Sequence, residues 1–273
     1  MNNMKLLIIS QAKPYKGSGT GLTEYAYQLL SHIKKLLTKY DSIEELYALE
    51  KTERNNINGI LKVNTSFKKK IAAIAAEKYD IIHITDQEIG FAAKILKKSG
   101  NKAKVITTIH DLSRFEKGFH KGVMQKAYNT LVKGSTKDAV KYSDYILCDS
   151  SQTYETVENR FGKKANIEVI LPGTNDSIIN AKIPKSQKNK VFTVGYIGAL
   201  MKHKNVIFIL KAAKLLDKAR FRFLIYGTGV DMPMLEKFKE DNGLGNVYIK
   251  GYLKEKDKVK TYDSFDVFVF LGF

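Results

Sequence analysis

Val194 to Leu210 reads VGYIGALMKHKNVIFIL. An apolar run stops at Gly198, a short basic stretch follows, and apolar residues resume from Val206 with helical spacing. A strand that ends in a glycine turn and feeds a helix is the repeating piece of an α/β fold. Here the turn also carries Lys202, His203 and Lys204, and Asn205 stands where it can cap the helix. Lysine amines beside a helix N-terminus suit an anion, a diphosphate among them; a solvated basic loop is the plainer reading.

The same alternation runs outward in both directions. Upstream, KLLIIS (5–10), YDIIHIT (79–85), KVITTIH (104–110), DYILCDS (144–150) and IEVIL (167–171) are short runs rich in Ile and Val, as buried strands are. Helical patterns separate them at 22–37, 67–78, 88–100, 124–142 and 151–162. Residues 172–190 are polar and aperiodic, with Pro172 and Pro184, and read as a linker. Alternation restarts with strands at 191–198, 221–227, 246–252 and 266–273, and helices at 205–217, 231–242 and 254–264. The expectation is two parallel α/β domains, 1–183 and 184–273. In open sheets of this kind ligands sit beyond the carboxyl ends of the strands.

Composition narrows the partner class. The chain has 273 residues, 44% hydrophobic and 27% charged, which excludes a disordered chain. Cys148 is the only cysteine, so no intrachain disulfide can form, and its apolar setting suggests a buried thiol. No apolar stretch reaches the ~18 residues a membrane helix needs. The net charge of +18 fits an anionic membrane face or phosphorylated small molecules. Nucleic acid is the weakest partner class, because finger spacings and aromatic RNA-binding signatures are missing. A lysine coat that only keeps the chain soluble is equally compatible.

Two further stretches carry chemistry. KPYKGSGTGLTEYAYQLL (13–30) places Gly17, Gly19 and Gly21 between the first strand and a helix. Glycines there let a phosphate approach backbone amides, although the spacing is not the dinucleotide fingerprint and a flexible β–α loop reads the same way. TTIHDLSRF (107–115) puts His110 and Asp111 at a strand's carboxyl end. A His–Asp pair there can bond sugar hydroxyls and orient a leaving group; a satisfied structural histidine is the alternative. His83 lies inside an apolar run and reads as core, while His32 and His120 read as surface. IYGTGVDMPMLEKF (225–238) repeats the strand–glycine–helix passage, with Asp231 as a candidate N-cap and Pro233 in the first turn.

The order of these pieces resembles glycosyltransferase family 4, retaining enzymes with the GT-B fold. GSGTGLTEYAYQL resembles its glycine-rich N-terminal loop, TTIHDL its strand ending in histidine, and AVKYSDYILCDSSQTYETV its alanine–aspartate–strand–serine segment, with ILPGTND as the proline–glycine turn after it. GALMKHKN resembles its G-R-L-x-x-x-K-N element, GTGVDMPML its G-x-G-x-x-x-x-L element, and YDSFDVFVF its Y-x-x-x-D-V-F-V element. Each match is loose, but their order is kept over nearly the whole chain.

The resemblance implies an acceptor-side first domain and a second domain that binds a nucleotide-diphosphate sugar, facing each other across a cleft. By position, Gly19 and Gly21 would approach the donor phosphate, His110, with Asp111 beside it, would contact the sugar, and Lys204 would hold the diphosphate. Gly198 and Lys202 belong to that same turn, and Gly251 and Tyr252 would lie near the base. No D-x-D triplet occurs, which agrees with a metal-independent site needing no cofactor. Two departures stand out. The family's arginine falls on Ala199, where Lys202 could replace the charge but not a bidentate fork. The family's next segment, Gly-Phe-Gly with two glutamates eight positions apart, lies beyond LGF at the chain end, so the resemblance implies a C-terminally truncated second domain.

The expected function is therefore transfer of a sugar from a nucleotide-diphosphate donor to an acceptor, with retention. The lysine-rich helical stretches FKKKIAAIAAEK (67–78) and LLSHIKKLLTKY (29–40) would suit a cytoplasmic enzyme touching an anionic membrane and a lipid-linked or cell-envelope acceptor. Two alternatives stay open: a nucleotide-binding protein of this fold that is inactive or completed by a second polypeptide, and an epimerase of the same architecture.

Overall fold

The computed structural model describes residues 3–15, 21–39, 41–50, 62–112, 115, 123–163, 165–174, 179–181 and 191–271. The chain divides into two compact units, Met1–Gly173 and Thr174–Phe273. The expected domain boundary at 183/184 lies outside the described residues.

The first unit is built on a six-stranded parallel sheet. Its strands are β1 (Lys5–Ala12), β2 (Ser42–Leu49), β3 (Ile81–Ile84), β4 (Lys104–Ile109), β5 (Tyr145–Cys148) and β6 (Ile167–Val169), in the order β2-β1-β3-β4-β5-β6. The Ile/Val runs become the central strands because burial on both faces rewards apolar residues at every position. Ile9, Ile82, Ile84 and Val105 are wholly buried, and each such side chain contributes about 1.5–3 kcal/mol of burial. The register Leu6↔Ile81 through Ile9↔Ile84 carries β1 alongside β3.

Strand β2 falls outside the runs that the sequence marks as strands. Its charged residues, Glu44 and Glu45, break any apolar run. The sheet edge explains this: only Leu49 of β2 is buried, and Glu45 reaches Lys34 at 2.9 Å while Glu44 reaches Lys5 at 2.9 Å. An edge strand with charges blunts unwanted pairing.

The connecting helices are α1 (Gly21–Leu36), α2 (Ser66–Ile74), α3 (Phe91–Lys98), α4 (Val123–Tyr142) and α5 (Ser151–Phe161). Helix α1 buries Thr23, Ala26 and Leu30, the spacing of one helical face. Helix α5 is capped by Ser150, whose side chain accepts from Thr153 N at 3.1 Å, and is followed by Gly162 at φ 85°. Cys148 is fully buried, and burial together with the neighbouring Asp149 charge pushes its thiol up to about 12. It is an inert packing residue.

The second unit has β7 (Phe192–Ile197), β8 (Phe221–Tyr226), β9 (Val247–Gly251) and β10 (Val267–Phe268), ordered β10-β7-β8-β9 and all parallel. Its helices are α6 (Ile207–Leu215), α7 (Met232–Asp241) and α8 (Lys258–Asp263). Val194, Tyr196, Leu210, Phe223, Ile225 and Leu235 form the centre of its core. Several expected elements shorten. The 254–264 helix is a 3-10 turn, Glu255–Asp257, followed by α8. The 266–273 strand pairs at Val267↔Val194 and Phe268↔Gly195, with one more ladder bond from Val269 N to Gly195 O at 2.8 Å.

Asn205 does not cap α6. The basic residues Lys202–Lys204 form a 3-10 turn, and Asn205 ends it in the left-handed conformation at φ 53°. Asn is among the few non-glycine residues that accept this conformation. Its side chain instead donates to Leu271 O at 3.4 Å. Asp231 sits at the N-cap position of α7 without a side-chain capping bond, and a proline occupies the first turn.

Candidate functional site

Each sheet reverses its strand order once on either side of its first strand, between β1 and β3 in the first unit and between β7 and β10 in the second. Crevices beyond the carboxyl ends at such switch points are the common ligand positions of open α/β sheets. The sequence-marked residues gather near those edges.

In the second unit the turn after β7 is held by backbone-to-backbone contact with the turn after β8. Gly198 N donates to Tyr226 O at 3.0 Å, and Leu200 N to Thr228 O at 2.9 Å. The fit depends on glycine. At Gly227 the backbone has φ 146°, and a Cβ would lie 1.8 Å from Gly198 O. At Gly229 a Cβ would lie 2.1 Å from Leu200 O. These two glycines therefore do more than shape their own turn: they let two strand ends meet main chain to main chain. Gly227 N also donates to Gly251 O at 2.7 Å, which ties the β9 end to the same floor. Gly251 is left-handed at φ 70°, and Tyr252 after it is exposed.

The cations follow in the next turn, Lys202–Lys204. Lys202 is exposed and has no carboxylate partner among the described residues. The Lys204 ammonium lies 5.2 Å from the Phe270 ring centre, a cation–π contact across the switch point. Ala199 is exposed, so no side chain fills the space where the basic turn begins. Tyr196 OH donates to Ala199 O at 3.0 Å and fixes the backbone beneath it.

In the first unit the chemistry is of opposite sign. Gly17 and Gly19 lie outside the described residues; Gly21 opens α1, with space where a Cβ would go. His110 follows β4 and is held on both sides. One ring nitrogen, Nδ1, lies 3.3 Å from Asp149 Oδ2, and Nε2 lies 2.9 Å from Thr85 O. Both partners are acceptors, an arrangement that favours donation from both nitrogens and so the protonated ring. Burial alone would lower its pKa, but the Asp149 bond, the charge of Asp86 and the Thr85 carbonyl outweigh it and the pKa is raised. The Tyr25 ring packs edge-on at 4.6 Å. His110 is thus committed to the protein through its ring. Asp111 beside it is exposed.

Gln87 belongs to no motif in the sequence, yet its side chain clamps this turn. Its Oε1 accepts from His110 N at 3.1 Å, and its Nε2 donates to Asp111 O at 2.9 Å. Only the N-cap pattern at Asp86, whose side chain accepts from Glu88 N at 2.8 Å, hints in the sequence that a tight turn sits there. His83 is core as expected: its Nε2 lies 2.8 Å from Thr108 Oγ1, and burial, aided by the His110 charge, lowers its pKa to about 4. His32 is on the exposed side of α1, and His120 lies outside the described residues.

A small recess opens at the β1/β3 switch point, bordered by Ser10, Gln11, Thr85 and Asp86 from the strand ends and by Leu22 and Thr23 from α1. Its empty space is about 210 Å³, part of it open to solvent. Among the described residues no three His, Cys, Asp or Glu side chains gather to hold a metal ion, and no helix is long and apolar enough to cross a membrane.

The family model for glycosyltransferase family 4 matches residues 38–177, just over half of the chain, and a model for glycosyl transferases group 1 matches residues 191–272. No curated protein sequence matches the chain. Among solved structures, sucrose-phosphate synthase from Thermosynechococcus elongatus is similar at TM-score 0.71 and 16% identity, over 97% of this chain and 75% of that one. The apo form of the lipopolysaccharide outer core galactosyltransferase WaaB is similar at 0.67 and 15%, over 98% and 74%. Anabaena HepE in complex with UDP and glucose is similar at 0.63 and 15%, over 97% and 73%. At these identities the likeness establishes the fold, which is GT-B.

Proposed function

The chain belongs to glycosyltransferase family 4, and from that membership we propose that it moves a hexose from a nucleotide-diphosphate sugar to an acceptor hydroxyl with retention of configuration. The observation that carries the donor side is the second-unit switch point: two lysines, Lys202 and Lys204, in the turn that follows closely packed glycine main chain. A leaving diphosphate develops charge at its bridging oxygen, and cations fixed beforehand lower that barrier without solvent reorganisation. Lys204 holds the diphosphate, Lys202 stands in for the arginine that Ala199 replaces, and Gly198 gives the phosphate access to backbone. Gly251 and Tyr252 border the base. Of the two glycines that the family resemblance assigns to the donor phosphate, Gly21 opens α1 and Gly19 lies outside the described residues. Neither metal nor cofactor is required, because lysines and amides supply the charge.

The histidine takes a narrower role than its position suggests. With both ring nitrogens engaged by Asp149 and Thr85, His110 holds its turn in place, and the exposed Asp111 beside it is the side chain set toward a sugar. WaaB and WaaG, structural neighbours that belong to lipopolysaccharide synthesis, support a cell-envelope acceptor. The UDP complexes of other structural neighbours, Anabaena HepE among them, support a uridine nucleotide. The excess of 46 basic over 28 acidic residues supports peripheral contact with an anionic, cytoplasmic membrane face.

Calorimetry with UDP, with and without chelator, tests the donor site: binding that survives chelation is expected, and absence of binding to any nucleoside diphosphate overturns it. The anomeric configuration of the product, read by NMR after incubation with UDP-hexoses and membrane glycolipids, tests retention. Liposome sedimentation tests the membrane reading. Pelleting with anionic vesicles at low salt, reversed near physiological salt, is expected.

A further inference from the structure

The recess at the β1/β3 switch point has the wrong chemistry for an anion. Its floor is acidic: Asp86 is 2% exposed and borders it, and Glu88, 7% exposed, lies just behind. Gln11, 5% exposed, lines the recess at the end of β1. Its Nε2 is turned toward Glu88 Oε2 at 3.5 Å, and Glu88 also accepts from Tyr128 OH at 2.5 Å. That carboxylate fixes which way the amide faces, because flipping it would set oxygen against oxygen. The outcome is that Gln11 Oε1 is buried with no hydrogen-bond partner among the described residues. A buried acceptor left unmatched is destabilising, so such an atom calls for a donor from outside.

We propose that this recess seats a single neutral hydroxyl group of the sugar acceptor, which donates to Gln11 Oε1. The inference rests on the reading of the first unit as the acceptor side. Three candidate groups differ in what they can do there. A phosphate or carboxylate cannot donate to Gln11 and meets Asp86 and Glu88. An ammonium can donate, but Asp86 is already engaged as the cap of the turn that follows, accepting from Glu88 N at 2.8 Å. A hydroxyl donates to Gln11 and brings no charge to the carboxylates of Asp86 and Glu88. Size agrees. The room for a water-sized group is only about 10 Å³, enough for a single hydroxyl and not for a sugar ring.

The test is NMR on the full isotope-labelled chain, reading the Gln11 side-chain amide, which is assigned by its disappearance in Gln11→Met. The probes are methyl α-D-glucopyranoside, glucosamine and inorganic phosphate, with UDP added in a separate titration. The glycoside should shift the Gln11 signal saturably, with a dissociation constant raised roughly tenfold in Gln11→Met, the scale of one lost hydrogen bond. Phosphate should leave the signal unmoved, and glucosamine should bind no better than the glycoside. No saturable response to the glycoside in the wild-type chain, equal affinity in Gln11→Met, or a phosphate response at Gln11 each overturns the proposal; stronger binding of glucosamine replaces the hydroxyl with an ammonium. The UDP titration, read at Gly198 and Lys204, separates the two readings. UDP binding without a glycoside response sinks the recess alone, and a silent UDP titration sinks the donor site.

Discussion

The two switch points of this protein are alike in topology and opposite in furnishing. Beyond β1 and β3 lie Gln11, Asp86 and Glu88, a set of acceptors with a histidine behind them. Beyond β7 and β10 lie Lys202 and Lys204, in the turn that follows closely packed glycine main chain. The first crevice is lined by side chains tied to one another, and the second is backed by backbone pressed so close that side chains are excluded. One parallel α/β layout thus provides two kinds of place, one seeking hydrogen-bond donors and one seeking negative charge. The glycines show the same contrast. Gly21 has open space where a Cβ would go, while Gly227 and Gly229 have carbonyl oxygens there.

That contrast sets the largest expected effect. Gly227→Ala should cost about 3 kcal/mol or more of stability, because it adds backbone strain at φ 146° to a clash with Gly198 O. Gly21→Ala should be nearly neutral by the same thermal or denaturant melt. Equal costs at the two sites would remove the claim that the second crevice is built on main-chain contact.

The histidines give the next effect, and its sign can be worked out. His83 has its folded pKa lowered to about 4 from 6.5, so the unfolded chain binds the proton more tightly. Its contribution is present above pH 6.5 and is lost as pH falls toward 4, by about 3 kcal/mol in all. His110 runs the other way: its folded pKa is raised, so its contribution is full below pH 6.5 and fades as pH rises through the folded value. Urea melts from pH 4 to 8 should show the acid limb flattened in His83→Gln. In Asp149→Asn, the His110 titration followed by NMR should move to lower pH. An unchanged His110 titration would break the assignment of its charge to Asp149.

Lys204→Ala should weaken UDP binding by roughly 1.5–3 kcal/mol, the scale of a charged hydrogen bond, measured by calorimetry. An unchanged affinity would strip the second crevice of its anion-binding role. The smallest expected effect is a gain: Ala199→Arg, at an exposed position, should tighten UDP binding by about 1 kcal/mol if Lys202 supplies a charge without a fork. No gain would mean that Lys202 already does the arginine's work.

Much of this was readable before any coordinate. Ile- and Val-rich runs alternating with 3.6-periodic stretches announce parallel strands and covering helices, and the fold follows from that alternation because periodicity is a local property of the chain. The buried state of Cys148 and His83 was legible for the same reason. Strand β2 was not, since an edge strand with Glu44 and Glu45 carries no apolar run. Asn205 was misplaced because a cap and a left-handed turn end draw on the same residue type.

What the sequence determined by itself was the sequence of elements, the family, and the residue types available at each strand end. What only the tertiary structure decided was which strand ends are neighbours. The order β2-β1-β3 brings Gln11 beside Asp86, residues 75 apart in the chain, and leaves the Gln11 oxygen without a donor. The order β10-β7-β8 brings Phe270 under Lys204 and Gly227 against Gly198. The amide of Gln87 and the two bonds of the His110 ring likewise join segments that no local pattern connects. Hydrogen bonds and close contacts act over a few ångströms in space whatever the separation along the chain, so they become defined only when the strands have been ordered.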